Sequence, residues 1–192
     1  MTDNVLAVAD GVGGWAESGV DPAIFSRKLC KNIEEYALGE KSEEYILDPK
    51  RLIIDAVAEN KEMGSSTCVV ATLDKYKPRL LTANLGDSGY LLLRKSGLDL
   101  ISQFRTKEQT HSFNFPHQVG TGGDDPAGAD TQDHTVLDKD IIVIASDGLF
   151  DNLYDFRIIE LVKPFIRDRD DILDPTLVAE IIAKDAEQYS HN

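Results

Sequence analysis

Four aspartates in three Asp-Gly or Gly-Asp elements stand where this chain could do chemistry. Asp10 ends the apolar run in AVADGVGG (Ala7 to Gly14), and Asp87 lies in ANLGDSG (Ala83 to Gly89). Asp147 and Asp151 follow the run in IIVIASDGLFDN (Ile141 to Asn152). Apolar runs bounded by turn residues suit strands buried on both faces. Each carboxylate is then delivered at a strand end, where glycine lets the backbone turn tightly and approach a ligand closely. Carboxylates and backbone carbonyls are the ligands that Mg²⁺ or Mn²⁺ prefers. One such element is an ordinary turn; three of them point to strand ends gathered around hard cations.

Those strand ends need a frame, and its punctuation is plain. Asp-Pro occurs at Asp21-Pro22, Asp48-Pro49 and Asp174-Pro175. Aspartate as N-cap with proline in the first turn starts a helix, because the carboxylate takes up a free N–H and proline has none to lose. The first helix would turn Ile24, Phe25, Leu29, Ile33 and Tyr36 inward. The second would bury Leu52, Ile53, Ala56 and Val57, and the last Leu177, Val178, Ile181 and Ile182. Between the second and third starts lie strands at Thr67 to Leu73, Arg79 to Asn84, Gly89 to Arg94 and Leu98 to Ser102. Ser96-Gly97 is a hairpin turn signal.

Gly120 to Asp133 read as a Gly- and Asp-rich surface loop. A hairpin is expected next, from His134–Leu137 through Asp138-Lys139-Asp140 to Ile141–Ala145. Phe156 to Phe165 read as a further helix. Consecutive strands flanked by helices argue for an α+β fold of antiparallel sheets covered by helices, in one domain over 1–192.

The composition limits what the chain meets. Its 192 residues include 34 acidic and 20 basic side chains, a net charge of −14 that disfavours nucleic acid and anionic lipid as partners. No apolar stretch approaches the ~18 residues of a membrane span, so no membrane insertion is expected. Cys30 and Cys68 form neither a CxxC nor a disulfide framework and read as small core residues in a reducing compartment. No secretory leader is read before Val5.

Taken in order, the motifs resemble the metal-dependent, type-2C (PPM) protein phosphatases, and within them the mitochondrial and plant organelle branch. ADGVGGW (Ala9 to Trp15), GVDPAIFSR (Gly19 to Arg27) and GSST (Gly64 to Thr67) carry the likeness. ANLGDSG, FNFPHQ (Phe113 to Gln118) and SDGLFDN (Ser146 to Asn152) complete it. The core motifs occupy 5–152, and helices in 153–192 continue the domain.

The resemblance implies a four-layer α-β-β-α sandwich of two antiparallel sheets. It also implies hydrolysis of phosphoserine and phosphothreonine in proteins by metal-activated water. Asp10 would bridge two Mg²⁺ or Mn²⁺ ions, with the Gly11 carbonyl on one and Asp147 on the other. Asp87, Asp147 and Asp151 would hold a third, looser ion, and GSST would be structural. A phosphoprotein is the implied partner, and the mitochondrial matrix or a plastid the implied compartment, with the cytoplasm as the fallback. Substrate-binding residues and oligomeric state stay open.

The chain departs from the family pattern in two ways. Val12 stands where many members carry a histidine proposed as general acid, and valine has no proton to give. His111 and His117 are the nearest candidates by motif position, against a plainer reading as exposed loop histidines. The family's upstream arginine and acidic ligand, and its terminal Asp-bearing strand, have no counterpart. The chain is therefore expected to be the central part of the domain, lacking edge strands from both ends.

A haloacid-dehalogenase-type route fails because Ala145 occupies the nucleophile position. A nucleotide cradle at Gly11, Gly13 and Gly14 lacks the required spacing. The remaining rival is a non-catalytic pseudophosphatase or regulatory binding module. Retention of Asp10, Asp87, Asp147 and Asp151 speaks against it, because clustered carboxylates repel one another without metal.

Overall fold

The structure is a computed structural model that describes residues 2, 4–74, 76–166 and 174–190. In chain order, β1 (Val5–Val8) is followed by α1 (Pro22–Leu38), α2 (Ser42–Leu47) and α3 (Pro49–Glu59). Then come β2 (Ser65–Ser66), β3 (Cys68–Leu73), β4 (Arg79–Leu85), β5 (Gly89–Ser96) and β6 (Asp99–Arg105). Short strands β7 (Thr110–Ser112), β8 (Phe115–Pro116) and β9 (Val119–Gly120) precede β10 (Asp130–Thr135) and β11 (Ile141–Ala145). Helices α4 (Asp147–Phe150), α5 (Asp155–Val162) and α6 (Pro175–Ser190) close the order.

These elements form two compact units, one built from the chain up to Ser88 with Lys107–Val136, the other from Gly89–Thr106 with Leu137 onward. The first unit holds an antiparallel sheet in the order β1-β3-β4-β10. Phe25, Leu29 and Ile33 of α1 and Leu52, Ile53 and Ala56 of α3 pack with Cys68, Val70, Ala83 and Leu85 of that sheet. Cys68, Val69, Val70 and Ala71 are all buried, so β3 is covered on both faces. The second unit holds the sheet β11-β5-β6. Leu91, Leu93 and Leu100 pack there with Ile158 and Val162 of α5 and Val178 and Ile182 of α6. Each fully buried aliphatic side chain contributes roughly 1.5–3 kcal/mol.

All three Asp-Pro starts hold. The carboxylate oxygens of Asp21, Asp48 and Asp174 accept the N–H groups of Ala23, Arg51 and Leu177 at 2.9, 3.0 and 3.0 Å. The inward stripes hold with two exceptions: Ile24 and Leu177, both in a first turn, are exposed.

Three local readings need correction. Gly120 to Asp133 are not a free loop. Asp130–Thr135 pair with β4, Ala129 is buried, and Lys50 and Gln109 side chains hold the carbonyls of Ala127 and Gly128. His134–Leu137 and Ile141–Ala145 do not form a hairpin, because β10 pairs with β4 while β11 pairs with β5 in the other sheet. The helix expected over Phe156–Phe165 ends at Val162 and tightens into a 3₁₀ turn, since Pro164 offers no N–H to continue it. Helix α2 carries no side-chain cap at its start, so the sequence does not announce it.

Candidate metal-binding strand ends and their relatives

Asp10 lies directly beyond β1, half-buried. Its backbone N–H donates to Thr67 Oγ1 at 3.3 Å, and its carbonyl accepts the Thr67 N–H at 3.0 Å. The next two residues continue this pairing, with Gly11 bridged to Ser66 and the Val12 N–H bonded to Ser65 O at 3.0 Å. Ser65, Ser66 and Thr67 are all buried. The GSST segment thus works as the scaffold that holds the Asp10 turn. Trp15 Nε1 donates to Ser65 Oγ, and that hydroxyl donates to Gln118 Oε1, both at 2.6 Å.

Only one glycine of the DGVGG run is demanded by packing. A Cβ on Gly11 would sit 2.2 Å from the Pro22 carbonyl oxygen, at the start of α1, whereas Gly13 and Gly14 have no neighbour within 4 Å of such an atom. The donor set offered here, a carboxylate and the carbonyl of a residue that admits no side chain, is oxygen only. That set fits a hard divalent cation.

Asp87 occupies the turn between β4 and β5. Gly86 before it has φ +107° and would drive a Cβ to 2.7 Å from both His117 O and Thr67 Cγ2, so it too must be glycine. Gln109 grips this turn twice: its N–H donates to Gly86 O at 3.0 Å and its Oε1 accepts the Gly86 N–H at 3.2 Å. Ser88, after Asp87, shares a 2.6 Å hydroxyl bond with Thr67. Thr67 therefore joins the two strand ends that carry Asp10 and Asp87. Thr67, Ser88 and Gln109 carry no signal of their own in the sequence, because these contacts reach across 21 to 57 positions of chain.

In the second unit, Asp147 opens α4 after β11, and the Asp151 N–H donates to the Asp147 carbonyl at 2.8 Å. The two carboxylates are spaced i, i+4 on one helical turn and so share a face. Asn152 steadies that turn by donating from Nδ2 to Gly148 O at 3.0 Å. Leu149 and Phe150 pack against the core cluster below.

The two histidines singled out from the motifs are held together. Their rings stack with centroids 4.2 Å apart, and His111 Nε2 lies 3.0 Å from Asp124 Oδ1. Burial pushes the Asp124 carboxyl up, but the Gln118 N–H and His111 outweigh it and hold the group below its ordinary range. His111 is exposed and His117 half-buried.

Comparison with known proteins decides the family. The family model of Stage II sporulation protein E (SpoIIE) matches residues 2–188, which takes in both units. The solved structure of the photosystem II phosphatase PBCP superposes with a TM-score of 0.83 and 34% identity, over 97% of this chain and 68% of that one. The chain belongs to the type-2C (PPM) protein phosphatase family.

Among PPM relatives, the probable protein phosphatase 2C 55 of Arabidopsis thaliana is 37% identical over 99% of this chain. The human protein phosphatase PTC7 homolog is 36% identical over 98% of it. The chain spans 39% of the former and 64% of the latter. The catalytic domain of PstP, solved with two manganese ions, shares the fold at a TM-score of 0.66 and 17% identity. The mixed fold with antiparallel sheets matches the PPM phosphatases. No helix among the described residues is long and apolar enough to cross a membrane.

Proposed function

We propose that the chain carries the core of a Mg²⁺- or Mn²⁺-dependent phosphatase acting on phosphoserine and phosphothreonine in proteins. The observation that carries this reading is the Asp10–Gly11 strand end. There a carboxylate and a backbone carbonyl, both hard donors, sit on a turn whose backbone Thr67 fixes and which abuts a helix start that rejects any side chain. By family likeness, Asp10, the Gly11 carbonyl and Asp147 are the proposed ligands of two ions, and Asp87 and Asp151, with Asp147, those of a third.

Bound there, such cations would supply Lewis acidity, lowering the pKa of a water and offsetting charge on phosphoryl oxygens. The protein's part is to hold the carboxylates in place, and the Thr67 and Gln109 bonds to the backbone turns at Asp10 and Gly86 support that reading for the first unit. Val12 offers no proton to a leaving group, so the serine or threonine oxygen is protonated from solvent or another donor. The two units are taken as parts of one phosphatase domain, since a single family match spans both. The organellar branch of the family suggests the mitochondrial matrix or a plastid as the compartment.

The test is turnover of a phosphothreonine peptide with Mn²⁺ and its loss on chelation. Asp10→Asn and Asp147→Asn should each lower the rate at least about a hundredfold, roughly 2.7 kcal/mol of transition-state stabilisation. Wild-type protein that binds phosphopeptide but never turns it over with Mn²⁺ would instead establish the rival, a non-catalytic binding module.

A further inference from the structure

A second group of metal-competent side chains lies in the first unit, with different donor chemistry. His111 on β7, His117 just after β8, and Asp124 each offer one ligand atom, all within 4.8 Å of one another. His111 Nε2 is 3.0 and 3.1 Å from the two Asp124 oxygens. A tetrahedral zinc ion with bonds of about 2.0–2.1 Å places its ligands about 3.3 Å apart, so this pair is already at the required spacing. The third ligand atom, on His117, lies within 4.8 Å of the other two.

The backbone fixes the three positions. Asp124 Oδ2 accepts the Gln118 N–H at 2.9 Å, and the Asp124 N–H donates to Gln118 O at 2.6 Å. His117 N–H donates to Gln109 O at 2.9 Å. Gly123, immediately before the aspartate, leaves no room for a side chain, because a Cβ would lie 2.3 Å from Gln118 O. The hairpin turn itself holds Asn114 at φ +53°. The imidazoles stack with centroids 4.2 Å apart at 22°, so one ring must turn out of the stack for both to ligate one ion.

We propose that His111, His117 and Asp124 bind a borderline divalent cation of the zinc class. Two imidazoles and one carboxylate suit Zn²⁺, whereas Mg²⁺ and Mn²⁺ favour the all-oxygen donors of Asp10 and Gly11. Three protein ligands leave a position for solvent. The site does not depend on the phosphatase reading, and it shares no ligand with it. Bound cation would close the chain between residues 111 and 124, and that segment carries Gln118, which bonds Ser65, and adjoins Gln109, which grips Gly86. Its occupancy thus bears on the strand ends that present Asp10 and Asp87.

The experiment is calorimetric titration of the untagged chain with Zn²⁺ in excess Mg²⁺. One tight Zn²⁺ should bind. His111→Ala, His117→Phe and Asp124→Asn should each weaken it at least about tenfold, the loss that removing even an outer-shell partner of a metal brings. His117→Phe keeps a ring for stacking, so its loss reports ligation rather than packing. Asp10→Asn should leave Zn²⁺ binding unchanged. Wild-type protein that takes up no Zn²⁺ in excess Mg²⁺ would overturn the proposal. So would undiminished Zn²⁺ affinity in folded His117→Phe and Asp124→Asn.

Discussion

Thr67 holds Asp10 from both sides, its N–H bonded to the Asp10 carbonyl at 3.0 Å and its hydroxyl accepting the Asp10 N–H at 3.3 Å. The same hydroxyl lies 2.6 Å from Ser88 Oγ, one residue past Asp87. Thr67 and Ser88 are 2% and 1% exposed, so no water replaces these bonds if the hydroxyl is removed. Thr67→Val keeps the shape but removes the hydroxyl partner of the buried Ser88 and of the Asp10 N–H, which costs about 1–3 kcal/mol. Urea unfolding should show that loss, with Mn²⁺ affinity falling alongside it. Thr67→Ser should recover most of both. Wild-type Mn²⁺ affinity in the valine variant would show that the clamp does not set the Asp10 position.

Gly11 makes a sharper test because its neighbours are inert. Alanine there places a Cβ 2.2 Å from the Pro22 carbonyl, a backbone atom that cannot rotate aside. Either the Asp10 turn or the start of α1 must shift, at about 1–3 kcal/mol. Gly13→Ala and Gly14→Ala meet nothing within 4 Å and should change stability by less than about 0.5 kcal/mol. Thermal melts of the three variants, each with and without Mn²⁺, distinguish a demanded glycine from permissive ones. Equal melting of all three would remove the steric argument.

What the sequence revealed was largely what is decided locally. A capping carboxylate reaches an N–H two or three residues away, so the Asp-Pro starts of α1, α3 and α6 could be read directly. The strand-end placement of Asp10, Asp87 and Asp147 was equally legible, because the apolar runs and the glycines adjoin. Pairing choices were not. His134 to Leu137 and Ile141 to Ala145 look like a hairpin around Asp138-Lys139-Asp140, yet β10 joins β4 and β11 joins β5. Part of the reason is visible in side chains far apart in sequence: Arg79 at the start of β4 pairs with Asp133 of β10. The polar segment before it reads as loop because an edge strand with an exposed face needs no apolar alternation. Asp124 escaped notice for a similar reason, since its link to His111 spans 13 positions and follows no periodic rule.

The last prediction concerns acid stability and rests on Asp140. Its side chain is 5% exposed and lies against Arg94 of β5, with Nε on Oδ1 at 2.8 Å and Nη2 on Oδ2 at 2.6 Å. The Leu137 N–H adds a third bond to Oδ2 at 2.8 Å. Burial alone would raise this carboxyl, but the guanidinium and the amide outweigh it and hold the group below its ordinary range. A carboxyl whose folded pKa is depressed stabilises the fold fully above its unfolded pKa of about 3.9. That contribution is lost as pH falls through the lower, folded value. Asp140→Asn keeps an acceptor for Leu137 but removes the charge facing Arg94. At neutral pH the variant should be less stable by about 1–3 kcal/mol, a range typical of a hydrogen bond to a charged group. Urea unfolding repeated stepwise toward pH 3 should show the gap narrowing, because the wild type then protonates the same carboxyl. A gap of constant size across that range would mean that the ion pair does not carry the pH dependence.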